Sequence, residues 1–349
     1  MSKTTRPGSR GATLADVGRA ANVSPMTVSK VLRKTGRISE KTQERVMQAA
    51  VSLGYVNNQL ASFLGSATSD IVCVLIPSAS DSVFSEILSS ISETLRPFDL
   101  RTFVGESNFN PEIEFEQVRS FLSIRPAGLI LSGGVKRLAK TDDILAKHGS
   151  ATVQIWDGDT RSGAANIGPS HKVAGRMMAE HFIKAGLKNV AYIGSELGAD
   201  LCAAQHAQAF ERTLRRHGVG FTAITSESVP RQAKGGAWLT EQMLNDHTDI
   251  EGVHFLNDAM ALGGIRTMYQ RGLNVPDQMQ VTGFNGTSLA TSVRTQLTTI
   301  NMSYTDIGKA AAQSVMSLAR GEAVAASQVQ ESCFVQGNST IAPRPKAVL

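Results

Sequence analysis

Residues 12–58, ATLADVGRAANVSPMTVSKVLRKTGRISEKTQERVMQAAVSLGYVNN, decide what kind of molecule this chain is. Thr13 stands three residues before Asp16, the spacing of a capping box, so a helix begins there and runs through Val17 to Ala21. Asn22-Val23 breaks it. Ser24 can cap a second helix with Pro25 in its first turn, where the missing N–H costs nothing, and Met26 to Leu32 continue it. A third helix is expected from near Ser39, with Val46, Met47, Ala50 and Val51 at helical spacing and Gly54 as its stop. Three short helices with a tight turn between the first two form a helix-turn-helix.

Charge points the same way. Residues 1–65 hold ten Lys or Arg against three acids, whereas the remaining 284 residues hold 25 basic and 27 acidic groups. The positive excess therefore lies in the first fifth of the chain, a polyanion-binding arm on a near-neutral body. On the second helix, Ser24, Thr27 and Ser29 can offer hydroxyls to phosphates alongside the backbone N–H groups of the helix start. Pro25, Met26 and Lys30 face the bases, the first two suited to thymine methyls and Lys30 to a guanine edge. Val28, Val31 and Leu32 are core.

The TVS-x-VL core, the I-S-x-x-T-x-x-x-V third helix and the L-G-Y-x-x-N ending resemble the DNA-binding headpiece of the lactose-repressor (LacI/GalR) family, in register over nearly fifty residues. The resemblance implies that Pro25, Met26 and Lys30 read bases. It further implies that Thr13, Ser24, Thr27, Ser29, Ser39, Thr42, Tyr55 and Asn58 contact the DNA backbone. Residues 57–65, NNQLASFLG, fall where that family has a hinge helix that folds on operator DNA. Leu64 takes its minor-groove wedge position and Ala61 lies one turn earlier. Two departures stand out: Val56-Asn57-Asn58 follows Tyr55 where the family usually has x-Pro-Asn, and Gln59 replaces a common basic residue.

From Ile71 onward the pattern alternates. Strands are expected at 71–77, 128–132, 189–194, 252–256 and 280–284. Helices are expected near 83–95, 112–123, 172–185, 203–216, 237–246, 260–271 and 305–319. Such alternation means doubly wound parallel sheets, and about ten units exceed one ordinary sheet. Two lobes are expected, roughly 70–160 with the C-terminal segment and 161–290, with the ligand between them at the carboxyl ends of the strands. The fold class is thus α/β: residues 1–56 a helix-turn-helix headpiece, 57–68 a hinge, and 69–345 a two-lobed effector-binding and dimerisation core like a periplasmic binding protein.

FLNDAMALGGIRTMYQRGLNVPDQMQVTGFNG and LTTINMSYTDIGKAAA extend the resemblance into the regulatory core. It implies an effector contact at Asn257, and another at Asn285, where most members place an aspartate. His206 falls where many members carry an arginine, and a positive or donor group is expected there. Phe84 and Trp156 follow strand ends and are expected to stack on the ligand; packing or capping is the bland alternative for all five. Loss of the aspartate and gain of His206 favour an acidic ligand. FNPEIEFEQVRSFLSIRPAGLILSG reads most like the gluconate-repressor branch, which implies a sugar acid such as gluconate or 2-ketogluconate.

Other classes fall away. No apolar run approaches the roughly 20 residues of a membrane span, and the basic start lacks the apolar core of a secretory signal. Cys73, Cys202 and Cys333 fit neither a disulfide framework nor a metal cluster, so reduced, mostly buried thiols are expected. No His-x-x-x-His or Cys-x-x-Cys pattern implies a metal, no cofactor is expected, and Gly133-Gly134 and Gly263-Gly264 lack phosphate-loop spacing. No leucine heptad follows residue 340, so a coiled-coil tetramer is not expected. The expectation is a cytoplasmic repressor that binds a pseudo-palindromic operator as a homodimer and responds to a small effector. The alternative is a cytosolic sugar-binding or sugar-converting enzyme with a basic arm, for which no acid–base or nucleophilic constellation is present.

Overall fold

The computed structural model describes residues 12–32, 35–56, 69–160, 165–291 and 295–342. The chain divides into two compact units, Met1–Ala67 and Thr68–Leu349. The expected hinge, with Asn58, Ala61 and Leu64, lies outside the described residues.

In the first unit, α1 spans Leu14–Ala20, α2 Pro25–Leu32 and α3 Glu40–Ser52. The capping box at the start of α1 is complete: Asp16 N–H donates to Thr13 Oγ1 (3.3 Å) and Thr13 N–H to Asp16 Oδ2 (3.0 Å). The turn into α2 needs Gly18, because a Cβ there would meet the Val23 carbonyl at 2.8 Å. The core is small and made of short side chains: Val17, Ala21, Val28, Val31, Val46, Ala49 and Ala50, with Leu32 and Tyr55 packed at its edge. Met47 and Val51 were expected on the inner face of α3. They point to solvent instead, Val51 at 78% exposure, because Val46, Ala49 and Ala50 occupy the stripe that meets α1 and α2.

The second unit is α/β with two parallel sheets. The first lobe has strands β1 (Ile71–Ile76), β2 (Arg101–Glu106), β3 (Gly128–Ser132), β4 (Thr152–Ile155), β5 (Ala165–Pro169) and β11 (Ser327–Gln330), in the order β11-β5-β4-β3-β1-β2. Its helices are α4 (Ser82–Leu95), α5 (Pro111–Ser123), α6 (Ala139–His148) and α11 (Tyr304–Ala319). The second lobe has β6 (Asn189–Ser195), β7 (Gly220–Ser226), β8 (Gly252–Phe255) and β9 (Gln280–Thr282), in the order β7-β6-β8-β9. Its helices are α7 (His171–Ala185), α8 (Leu201–Arg216), α9 (Ala233–Asp246) and α10 (Asp258–Gln270). An antiparallel pair, β10 (Thr299–Asn301) with β12 (Cys333–Val335), carries the chain between the lobes.

The expected strands at 71–77, 128–132, 189–194 and 252–256 are each present within a residue or two, while 280–284 shortens to β9. The expected lobe boundary at 161 shifts: Ala165–Pro169 pairs with β4 and β11 and completes the first sheet, so the crossing comes at Ser170. The edge strands β2 and β7 gave no strong signal because they alternate exposed and half-buried residues, unlike the wholly buried central strands. Gly133 and Gly134 sit where neighbouring side chains and backbone leave no room for a Cβ. Gly134 has φ +73°, and a Cβ there would press on Cys202 Sγ at 2.4 Å, where Val135 bridges to Asp200 and joins the lobes.

Candidate functional site

Two places in the molecule carry residues arranged for recognition. In the first unit, α2 buries Val28 and Val31 and turns its other face outward. Pro25, Met26 (69% exposed) and Lys30 lie on that face, with Thr27 and Ser29 half-buried beside them. Ser24 caps the helix: Thr27 N–H donates to Ser24 Oγ at 3.1 Å, and the two hydroxyls lie 3.0 Å apart. Ser39 and Thr42 pair likewise at the start of α3, 2.9 Å apart, and Tyr55 is half-buried against the small core. Thr13 spends its hydroxyl in the capping box. A helix start presents its N–H groups and its capping side chain on the same side.

In the second unit, β1 is flanked by β2 and β3, and β6 by β7 and β8. Both are switch points, where the chain leaves in opposite directions and opens a crevice at the carboxyl ends. A cleft of about 260 Å³ lies there. Ser78, Ser80, Asp81, Asn108 and Phe109 line it from the first lobe, and Glu196, Arg231, Asn257, Asn285 and Thr287 from the second. Beneath it a recess of about 30 Å³ is walled by Phe84, Trp156, His171, His206 and Phe284.

The backbone is strained around this cleft. Asn108, Phe109, Trp156, Glu196 and Asn285 all have positive φ, five of nine such non-glycine residues among those described. Each costs about 1–3 kcal/mol and persists where the surroundings dictate it, as at ligand sites.

Asn257 caps α10, its Oδ1 accepting from Met260 N–H at 2.8 Å, while its Nδ2 donates to the Arg231 carbonyl at 3.0 Å. Asn285 differs: its Oδ1 is buried without a partner among the described residues. An orphaned acceptor of this kind is a standing free-energy cost unless a ligand or water donates to it. Phe84 and Trp156 come together edge-on, ring centroids 5.8 Å apart, as the recess wall. Asp258 is buried, accepting from Thr287 N–H and Thr299 Oγ1 at 2.7 Å each; burial pushes its carboxyl up to about 6.

Of the positive or donor group expected at His206, the positive charge is not there. His206 is buried, its Nε2 lies 2.7 Å from His254 Nε2, and His254 Nδ1 reaches Thr282 Oγ1 at 2.9 Å. Burial first, and then His254 and His171, hold His206 well below its ordinary 6.5; burial takes His254 down to about 3. Both rings are neutral at pH 7. His206 borders the recess as an uncharged wall and packs tilted against Phe284 with centroids 4.1 Å apart.

The charge sits instead on Arg231, which sequence reading did not single out. It lies between β7 and α9, 13% exposed, with Nε 2.7 Å from Glu196 Oε2 and Nη1 2.6 Å from Asp200 Oδ2. Its guanidinium lies 4.6 Å from the Phe109 ring centroid, a cation–π contact from one lobe to the other. Asp200 is fixed as the cap of α8 by Ala203 N–H at 3.0 Å. Asp81, the cap of α4, lies in the same cleft, and burial raises its carboxyl despite the pull of Arg231. No local pattern announces Arg231; only the converging strand ends bring its partners together.

No group of three or more metal-binding side chains occurs among the described residues, and no described helix is long and apolar enough to cross a membrane.

Comparison with known proteins agrees with this two-part architecture. The profile of bacterial regulatory proteins of the lacI family matches residues 13–58, and that of the periplasmic binding protein-like domain matches residues 179–340. The HTH-type transcriptional regulator GntR of Pseudomonas aeruginosa is 34% identical over 325 residues, covering 92% of this chain and 93% of that protein. Catabolite control protein A of Priestia megaterium is 27% identical, covering 91% and 96%. A LacI-family transcriptional regulator from Silicibacter pomeroyi superposes with a TM-score of 0.88 at 33% identity, covering 94% of this chain and 99% of that one. The Lac repressor dimer bound to operator and an anti-inducer superposes with a TM-score of 0.81 at 25% identity, covering 95% and 100%. The Pseudomonas aeruginosa and Silicibacter pomeroyi proteins are named as transcriptional regulators. With a capped, outward-facing second helix, a two-lobed core and full-length relatives of this kind, the chain belongs to the LacI family of DNA-binding transcriptional regulators.

Proposed function

We propose that this protein is a cytoplasmic repressor that binds a pseudo-palindromic operator as a homodimer and is released by a small sugar-type effector. A sugar acid such as gluconate or 2-ketogluconate is the first candidate. Residues 1–56 read DNA, with Pro25, Met26 and Lys30 at the bases and Thr13, Ser24, Thr27, Ser29, Ser39, Thr42, Tyr55 and Asn58 at the backbone. Residues 57–68 form the hinge, with Ala61 and Leu64 at the minor groove, and residues 69–345 bind the effector and dimerise. One observation carries the reading: a single chain presents an outward-facing second helix and, in a separate unit, a cleft with an unsatisfied buried acceptor at Asn285. Phe84, Trp156, His206, Asn257 and Asn285 all border the cleft or its recess, which supports an effector role for each.

The hydroxyl and amide lining suits a polyol, and the uncharged Asn285 spares an acid the repulsion an aspartate would impose. Effector binding must favour one lobe arrangement over another, and its differential affinity sets how far operator affinity can fall. Fluorescence anisotropy of the full chain on its own upstream promoter DNA, with and without gluconate and 2-ketogluconate, tests this. Tight binding abolished by either acid is expected. Binding no tighter than to a random duplex at physiological salt overturns the regulator reading, and tight binding that neither acid changes removes the sugar acid.

A further inference from the structure

Arg231 is the lone cationic side chain among the described residues lining the cleft, and its two counter-ions are not equivalent. Asp200 is 9% exposed and tied down as a helix cap that also bridges to Val135 of the other lobe. Glu196 sits at the rim, 38% exposed, on a strained residue with φ +54° at the carboxyl end of the central strand β6. Its carboxylate meets Arg231 Nε at 2.7 Å. Moving it into water costs little, since a half-exposed carboxylate is already partly hydrated.

Resting on the effector reading above, we infer that Arg231 determines the acid specificity of the cleft: it binds the effector's carboxylate, and Glu196 is a placeholder that the carboxylate displaces. The exchange conserves charge. One carboxylate leaves the guanidinium for solvent and another arrives, so the cleft gains no net negative charge although Asp81 and Asp200 stay in place. Nη1 stays on Asp200 and Nη2 on the Glu196 carbonyl, so the guanidinium, held against Phe109, keeps its orientation and turns Nε toward the incoming carboxylate, a fixed direction that a lysine does not offer. The unsatisfied Oδ1 of Asn285 in the same cleft then takes a hydroxyl from the remainder of the molecule. Selectivity for an acid over its neutral alditol follows from Arg231, not from His206.

The test is calorimetry on the full-length protein with gluconate, 2-ketogluconate and, as the neutral counterpart, sorbitol. Operator binding is measured in parallel. Arg231→Gln is expected to weaken acid binding about ten- to a hundredfold, the loss of a charge-assisted contact. Glu196→Gln, which removes the competitor, is expected to tighten it about three- to tenfold. Arg231→Lys, which keeps the charge, covers the case in which Arg231→Gln does not fold, and is expected to lose about tenfold. Opposite signs for Glu196→Gln and the Arg231 variants support the inference. Acid binding unchanged in the Arg231 variants, or unchanged or weakened in Glu196→Gln, overturns it and leaves the regulator reading in place. So does a wild type whose operator complex responds to sorbitol as it does to the acids. A wild type with no operator affinity overturns the regulator reading itself, whatever its calorimetry.

Discussion

The headpiece and the effector core are built by opposite means. The headpiece holds its three helices with a core of valines and alanines, and much of its definition comes from caps at the starts of α1 and α2. The core unit instead buries large side chains drawn from distant parts of the chain, with Phe182, Phe210, Phe255 and Tyr192 among those fully enclosed. It also encloses four histidines and several carboxylates. Local hydrogen bonds define the DNA-reading unit, and long-range packing defines the sensing unit. The two should therefore respond differently to substitution and to acid.

The largest expected effect is in the core. Phe210 is fully buried and packs on Phe182, Phe221 and His254 with centroids 4.7–6.2 Å away. Phe210→Ala should cost about 3–5 kcal/mol of core stability. Denaturant unfolding followed by tryptophan fluorescence reports the core selectively, because Trp156 and Trp238, the two tryptophans of the chain, both lie in it. A loss under about 1 kcal/mol would mean that this cluster relaxes as the small headpiece core does.

Acid sharpens the contrast. His181 is lowered to about 4, His254 to about 3, and His206 well below 6.5, in each case first by burial. A histidine whose folded value is depressed binds fewer protons folded than unfolded. Its stabilising contribution is complete above the ordinary 6.5 and is lost as pH falls below it. The expected slope is about 1.4 kcal/mol per pH unit for each such histidine. Asp81 and Asp258, raised by burial, act in the opposite sense, and Asp258 offsets about one histidine below pH 6, so stability still falls there with the slope of the remaining histidines. The described headpiece contains no histidine. Its Asp16, held below 3.8 first by the Thr13 side-chain hydrogen bond, contributes stability that fades only below that pH. Melting temperatures across pH 7 to 5 should fall for the core transition and stay flat for the helical signal of an isolated 1–56 fragment. Parallel curves would refute the distinction.

The smallest effect belongs to the headpiece. Thr13→Ala removes the hydroxyl side of the capping box, leaving the Thr13 N–H bond to Asp16, and should cost about 1 kcal/mol. In so small a unit that is a sizeable share of the stability. Thermal melts of the same fragment by circular dichroism measure it; no shift would mean that packing rather than capping sets the start of α1.

The two units were also unequally legible before the structure was known. All three headpiece helices follow from residues within one turn of each boundary, and only Met47 and Val51 were assigned to the wrong face. In the core, β1, β3, β6 and β8 were plain, while the half-exposed edges β2 and β7 and the short buried strands β4 and β5 were not. Phe84 and Trp156 were named from their places after strand ends and Asn257 and Asn285 from the family resemblance, and each lines the cleft or its recess. Arg231 was missed because nothing in SESVPRQAK distinguishes it from a solvated loop cation.

The order of residues alone determined the helix-turn-helix, the parallel α/β class and the existence of a cleft at the strand ends, because capping and hydrophobic periodicity act over a few residues. Only the tertiary structure decided which groups are charged there. Burial against Phe284 and near two other imidazoles, His254 and His171, leaves His206 neutral. Asp200 and Glu196, brought from the ends of other elements, hold Arg231 in place as a cation. Protonation and ion pairing depend on what surrounds a group in space, and those surroundings come from strands and helices far apart along the chain.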